Sequence, residues 1–319
     1  MIEGLAKSLV EPLSAHWRNA SIGAAASLWL AFVLLFVLTH GKATDCARSD
    51  QAWCRIADTG SVGSGLILLA AAGLVLSTAF LAAGVAPGLV VAMTADFWLL
   101  QPPILSWVCR LSIRRQRGKR KRLAARLTRL STAAGSGGGF AARQQAALYS
   151  KLLSRYPAGD EWLRSSTGGN ILAAMSQKID KSLGLDLTRV WQPLVAVLPD
   201  SAADQLETAS TDIAKRCQQM VIAIVALPLA ALLPWSYAVP WLAIALAAFA
   251  VSRQAAIAAI ATFAEHAATA VIVHRRLLYT ALHVEPPLDP AAEVASGQQL
   301  SQLLAYFYDL EAALALTYT

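Results

Sequence analysis

The chain has 319 residues, 56% of them hydrophobic and only 15% charged, and its mean hydropathy is +0.49. So little polar surface cannot coat a soluble globule of this size, which excludes a purely aqueous protein and points to an integral membrane protein. The formal charge of +7 is then read first as a topology signal and only second as a nucleic-acid footprint.

Residues 1–19 place Ile2, Leu5, Leu9, Leu13 and Trp17 on one helical face, which suits an amphipathic helix lying in the membrane interface. Residues 20–40 carry no ionised side chain. About 20 residues at about 1.5 Å each cross a hydrocarbon core of about 30 Å, so this segment is the first expected span. It ends without a small-residue cleavage site and reads as a retained signal anchor. The loop that follows holds Cys46 and Cys54, which either form a disulfide in an oxidising compartment or remain small buried thiols.

The next apolar stretch, Gly65 to Leu100, is 36 residues long and exceeds one crossing. It either breaks near Gly84–Gly88 or continues past the bilayer as a buried helix. One span over about 63–85, followed by an interfacial helix through Trp98 and Trp107, keeps the later basic residues on the cytoplasmic side. Residues 20–108 are thus read as a first hairpin with an interfacial helix. Gly73 and Gly84 are its candidate helix-packing positions, because small side chains let helices of an oligomer approach closely.

Residues 112–122 read SIRRQRGKRKR, and Arg110 to Arg129 hold ten basic side chains in twenty positions without an acid. Arg114, Arg115, Arg117, Lys119, Arg120, Lys121 and Arg122 are assigned to topology and to anionic lipid, at about 1 kcal/mol per cation near the surface. Nucleic acid is not the expected partner, since no aromatic side chain interleaves the run to stack on bases. The rest of the insert, which spans 109–216, is expected to be helical. A Gly-rich hinge covers 131–140, a helix is closed by Pro157, and another is capped by Ser166 or Thr167 and stopped by Gly184. A last insert helix runs on into the third span.

Residues 217–262 read as a second hairpin turning at LPWSYAVPW, although a shallower hairpin that enters without crossing fits as well. Arg253 in its second arm either snorkels to the headgroups or pairs within the membrane with Asp96. Residues 263–319 form a helical tail with five acids and no base from Glu285 onward. The tail either folds onto the basic run or packs as an amphipathic helix whose acids face water.

The fold class expected is therefore an all-α integral membrane protein. Four transmembrane helices form two hairpins, with a small helical cytoplasmic insert, a helical C-terminal tail and both termini in the cytoplasm. The five histidines are scattered and neither His-Glu-x-x-His nor Gly-x-Ser-x-Gly occurs, so no catalytic residue, cofactor or metal is expected.

TGGNILAAM, GLDLTRVWQPLVAVLPD and the later VIVHRRLLYTAL resemble a family of uncharacterised four-span membrane proteins from actinobacteria and other bacteria. In that family an Arg-Leu-Gly-Asn helix with Ala-Ala-Glu, a Tyr-Gly-Leu-Asp, a Trp-Pro-Arg-Leu and an Asp-Leu-His-Arg recur in this order. Here Gly169-Asn170 matches, while Gly168 stands at the Arg-Leu positions and Met175 replaces the glutamate. Leu183-Gly184-Leu185-Asp186 keeps Gly-Leu-Asp without the tyrosine. Trp191 is kept with Gln192-Pro193 displaced, and His274-Arg275 is kept without the aspartate. The resemblance implies the four-span architecture, a place in the bacterial cytoplasmic membrane, and no particular activity. Asn170, Asp186, Trp191, His274 and Arg275 become the candidate partner surface.

The leading functional expectation is a non-catalytic anchor or scaffold whose insert and tail bind a cytoplasmic protein partner at the inner leaflet. An oligomeric membrane-perturbing effector or channel is the alternative. A transporter or enzyme using unrecognised residues is the third.

Overall fold

The computed structural model describes residues 17–40, 60–94, 103–135, 139–287, 289 and 291–317. Every regular element among them is helical: α1 (Trp17–His40), α2 (Gly60–Thr94), α3 (Pro103–Gly135), α4 (Phe140–Leu153), α5 (Thr167–Leu183), α6 (Leu187–Val197), α7 (Asp200–Leu229), α8 (Trp235–Ala281) and α9 (Glu293–Thr317), with a 3-10 turn at Ala230–Leu232. Three helical stretches, Leu69–Thr94, Asp200–Leu232 and Trp235–Ala281, are long and apolar enough to cross a membrane, and α1 carries the apolar stretch Ile22–Leu35. The chain is a helical membrane protein.

Three helices run on past landmarks read from the sequence. α2 runs unbroken from Gly60 to Thr94 through Pro87, so the stretch Gly84–Gly88 is no break and the helix outlasts the expected span of 63–85. Proline removes one i→i−4 bond, but ending a helix in apolar surroundings would strand further backbone groups without water to receive them. The first five residues of the expected hinge at 131–140 are helical. α3 continues to Gly135, with the Ser131 and Thr132 hydroxyls donating to the carbonyl of Thr128 at 2.9 Å each. α8 is one helix of 47 residues, which passes the expected end of the second hairpin at 262 without interruption.

The chain divides into two compact units. The first comprises, among the described residues, those of Leu13–Leu89 and Thr211–Ala256. Its outer surface is apolar: Leu30, Leu34, Leu69, Phe80, Leu81 and Ile244 are all exposed, a patch that suits lipid rather than water. Its interior is built on alanine. Ala79, Ala82 and Ala86 face inward on α2, as do Ala226, Ala230, Ala238 and Ala245 on the segments around the 3-10 turn. Phe32 stacks edge-on to Trp241 with ring centroids 5.7 Å apart. Both indoles that enter this interior have satisfied N–H groups, Trp241 donating to Ala226 O at 2.8 Å and Trp29 to the Thr78 hydroxyl at 2.9 Å.

Gly73 and Gly84 make no packing contact within the chain among the described residues. A β-carbon added at either would meet nothing within 4 Å, and both lie on the exposed side of α2. Helical phase gives the reason. Ala79, Ala82 and Ala86, spaced three and four apart, take the inward stripe, and Gly84 lies about 200° round the helix from Ala82.

The second unit comprises Val90–Ser210 and Ile257–Thr319 among the described residues. α3 and α4 pack as a helical pair. α5, α6 and α9 close around a core of Leu172, Ile179, Leu185, Leu187, Leu194 and Leu300, each at most 2% exposed. Ser166 is the N-cap of α5, accepting from Gly169 N–H, and Gly184 ends the helix in the left-handed conformation at φ 68°, both at the positions expected. Asp186 caps α6 by accepting from the backbone N–H and the hydroxyl of Thr188 at 3.0 and 2.6 Å.

Candidate functional site

The candidate site is the charged unit, and its organising element is α3. Cys109, Ser112, Gln116 and Arg120 are spaced three and four apart and form the side of the helix turned into the unit. Ser112 donates to Ser165 O at 2.6 Å. Gln116 is buried, accepts from the Tyr156 hydroxyl at 3.2 Å and donates to the Thr167 hydroxyl at 3.3 Å. Burial pushes the Tyr156 phenol above its ordinary value of 10.0, which keeps it a donor to Gln116.

Arg120 fastens the loop between α4 and α5. Its guanidinium donates to the carbonyls of Pro157 and Ala158 at 2.9 and 3.0 Å and pairs with Asp160. Arg117 reaches the other oxygen of the same carboxylate at 3.0 Å. Arg126, farther along, donates to the Tyr149 hydroxyl at 3.0 Å with its guanidinium 5.9 Å from that ring's centre, tying α3 to α4.

The basic run therefore has two faces, which corrects its assignment as a uniform lipid surface. Arg117 and Arg120 are engaged by Asp160. Arg114, Arg115, Lys119, Lys121 and Arg122 point outward and are exposed.

The residues expected to form a partner surface are mostly structural. Asn170 is completely buried: its side-chain oxygen accepts from Arg164 N–H at 2.8 Å, and its amide donates to Arg164 O and Ser166 O at 3.1 and 2.8 Å. Trp191 is 4% exposed and packs edge-on against Phe263 at 6.0 Å. Asn170 and Trp191 are thus unavailable to a partner, because an amide with three internal bonds and an indole in the core were the groups that the flanking apolar residues enclosed. Arg275 is held bidentately by Glu293 at 2.5 and 3.3 Å. His274 is half-buried beside it, and Asp186 is half-buried at its cap.

That Arg275–Glu293 pair settles where the start of the acidic tail goes. Glu293 does not reach the basic run; it opens α9, which docks on α5 and α6. Ser301 of α9 accepts from Asp186 N–H at 2.9 Å and donates to Gly184 O at 3.3 Å. Arg189 pairs with Asp186 at 3.5 Å.

Sequence reasoning missed Gln116, Tyr156, Asp160, Gly297 and Ser301. A buried glutamine on the inward stripe of a basic helix was one readable signal, and a glycine one turn into α9 another. The expected disulfide of Cys46 and Cys54, and Asp96 of the expected pair with Arg253, lie outside the described residues; Arg253 itself is exposed. Among the described residues no group of three or more His, Cys, Asp or Glu stands close enough to hold a metal ion. Protein-family models, curated proteins and solved structures were compared with the chain, and none matches.

Proposed function

We propose that this protein is a non-catalytic anchor or scaffold of the bacterial cytoplasmic membrane, with four spans in two hairpins and both termini in the cytoplasm. The outward face of α3 lies on anionic lipid, and the insert and tail together present a surface to a cytoplasmic protein partner. The observation that carries this reading is the assembly of insert and tail into one charged helical unit, in a chain whose other unit is coated with exposed leucines. A rigid unit built from sequence-distant parts is what a recognition surface needs.

Tagged full-length protein, extracted in mild detergent, is expected to carry a soluble protein at fixed stoichiometry. Deleting residues 141–214 is expected to lose it while the chain stays in the membrane. Extraction without any associated protein would overturn the reading.

A second reading, a homo-oligomeric effector or channel, is favoured by one observation. Gly73, Ser77, Gly84 and Gly88 share the exposed side of α2 with open space beside the glycines. Its test is depolarisation of expressing cells that Gly73→Leu or Gly84→Leu abolishes.

A further inference from the structure

A groove in the charged unit is lined by three helical stretches, each offering residues at the same spacing. α5 contributes Ile171, Ala174, Met175 and Lys178, and α8 contributes Ala261, Ala264, Glu265 and Ala268. The end of α4 and the turn after it contribute Lys151, Ser154 and Arg155. Positions i, i+3, i+4 and i+7 fall on one helix face, so Ile171, Ala174 and Met175 of α5 and Ala261, Ala264 and Ala268 of α8 make an apolar floor about 10 Å long. The cavity holds about 170 Å³.

Its rim is cationic. Lys151, Arg155 and Lys178 stand around the apolar floor, and none of the three side chains meets a carboxylate among the described residues. Glu265 is the single acid at the edge. Beside the rim, Leu148 and Leu152 of α4, one turn before and directly after Lys151, are 58% and 41% exposed. An exposed leucine pair on the helix that supplies the rim, next to an apolar floor edged by cations, is the complement of a helix with an apolar stripe bordered by acids.

We infer that this groove receives an acidic amphipathic helix of the partner protein, an inference that rests on the scaffold function proposed above. The partner's apolar side chains enter between Met175 and Ala264 and cover Leu148 and Leu152. Its carboxylates meet Lys151, Arg155 and Lys178. The alanines at 174, 261, 264 and 268 keep the floor flat, so a helix backbone can approach it closely. A phospholipid fits less well, because Glu265 opposes its phosphate while a peptide helix can set a basic or polar residue there.

The test is photocrosslinking of full-length protein in its native membrane, with p-benzoylphenylalanine placed at Leu152 beside the groove rim and, separately, at exposed Tyr306 on α9. The expected adduct at 152 is a peptide with acids flanking an apolar helical stripe. Its yield should fall about tenfold or more when Lys151→Glu, Arg155→Glu and Lys178→Glu are combined. Ala268→Leu, which fills the floor without touching a charge, is expected to lose it as well, with thermal unfolding unchanged in both variants. A phospholipid adduct at 152, or a protein adduct there that ignores the charge reversal, overturns the inference. A protein adduct at 306 with none at 152 overturns it while leaving the scaffold function standing. Absence of protein adducts at both positions removes both.

Discussion

Gly297 of α9 lies against the carbonyl of Leu183 so closely that a β-carbon at 297 would sit 1.8 Å from that oxygen. The approach is reciprocal, since a β-carbon on Gly184 would sit 2.0 Å from Val294 O. Two glycines therefore form the crossing at which the tail closes on the insert. Gly297→Ala is expected to destabilise the docking of α9 by about 1–3 kcal/mol, since the obstacle is backbone and cannot rotate away. Gly184→Ala should cost more, because its left-handed backbone adds strain to the clash. Limited proteolysis after residue 285 and thermal unfolding measure both. Gly88→Ala, which faces open space, should stay within about 0.5 kcal/mol of the parent.

Asp160 serves two guanidiniums at once. Asp160→Asn leaves Arg120 part-buried beside a neutral partner and is expected to cost about 1–3 kcal/mol. Lys121→Gln, on the exposed side of the same helix, is expected to cost nothing measurable. Thermal unfolding of the detergent-solubilised protein separates the two. Equal effects would mean that the run has no inner and outer face.

The outward cations make a separate prediction. An environment-sensitive fluorescent amino acid at Lys119 should shift its emission in nanodiscs containing anionic lipid relative to neutral ones, and salt at about 0.5 M should reverse the shift. The same probe at Arg120 should not respond to lipid charge. An identical response at both positions would remove lipid binding as the role of the outer face.

The Tyr156 phenol gives a pH dependence with a definite sign. Its folded value is raised above 10.0 by burial, so between the unfolded and folded values the native state holds a proton that the unfolded state has lost. The contribution is fully present below pH 10 and is lost as pH rises through the folded value. Tyr156→Phe also loses the hydrogen bond to Gln116, at about 1 kcal/mol. The stability gap between parent and Tyr156→Phe should thus be constant up to about pH 9 and close above about pH 10. A gap that widens there would contradict the buried, protonated phenol.

Local chemistry was legible in the sequence where it acts over a few residues. The Ser166 cap and the Gly184 stop were readable because a capping hydroxyl and a left-handed glycine do their work within one turn. Gly184 was readable as a stop and not as half of a crossing, because its partner lies 113 positions along the chain at Gly297. The division of the basic run was hidden for the same reason. Composition shows ten cations, but only the loop carrying Asp160 determines which of them turn inward. Asn170 and Trp191 were singled out by short motifs that report importance without burial; the motif cannot tell a surface from the clamp beneath it. Gly73 and Gly84 were readable as small positions, but smallness suits either face of α2, and only the alanine stripe shows which face packs within the chain.

The Arg120 clamp also bears on how this sequence can vary in descent. The outer face of α3 asks only for positive charge, so lysine and arginine can exchange there and positions can drift along the helix. The planar guanidinium of Arg120 meets two carbonyls and the Asp160 carboxylate, a fit that lysine cannot reproduce. Related chains that keep this loop should therefore change the two positions together or leave both alone, while the neighbouring cations turn over freely.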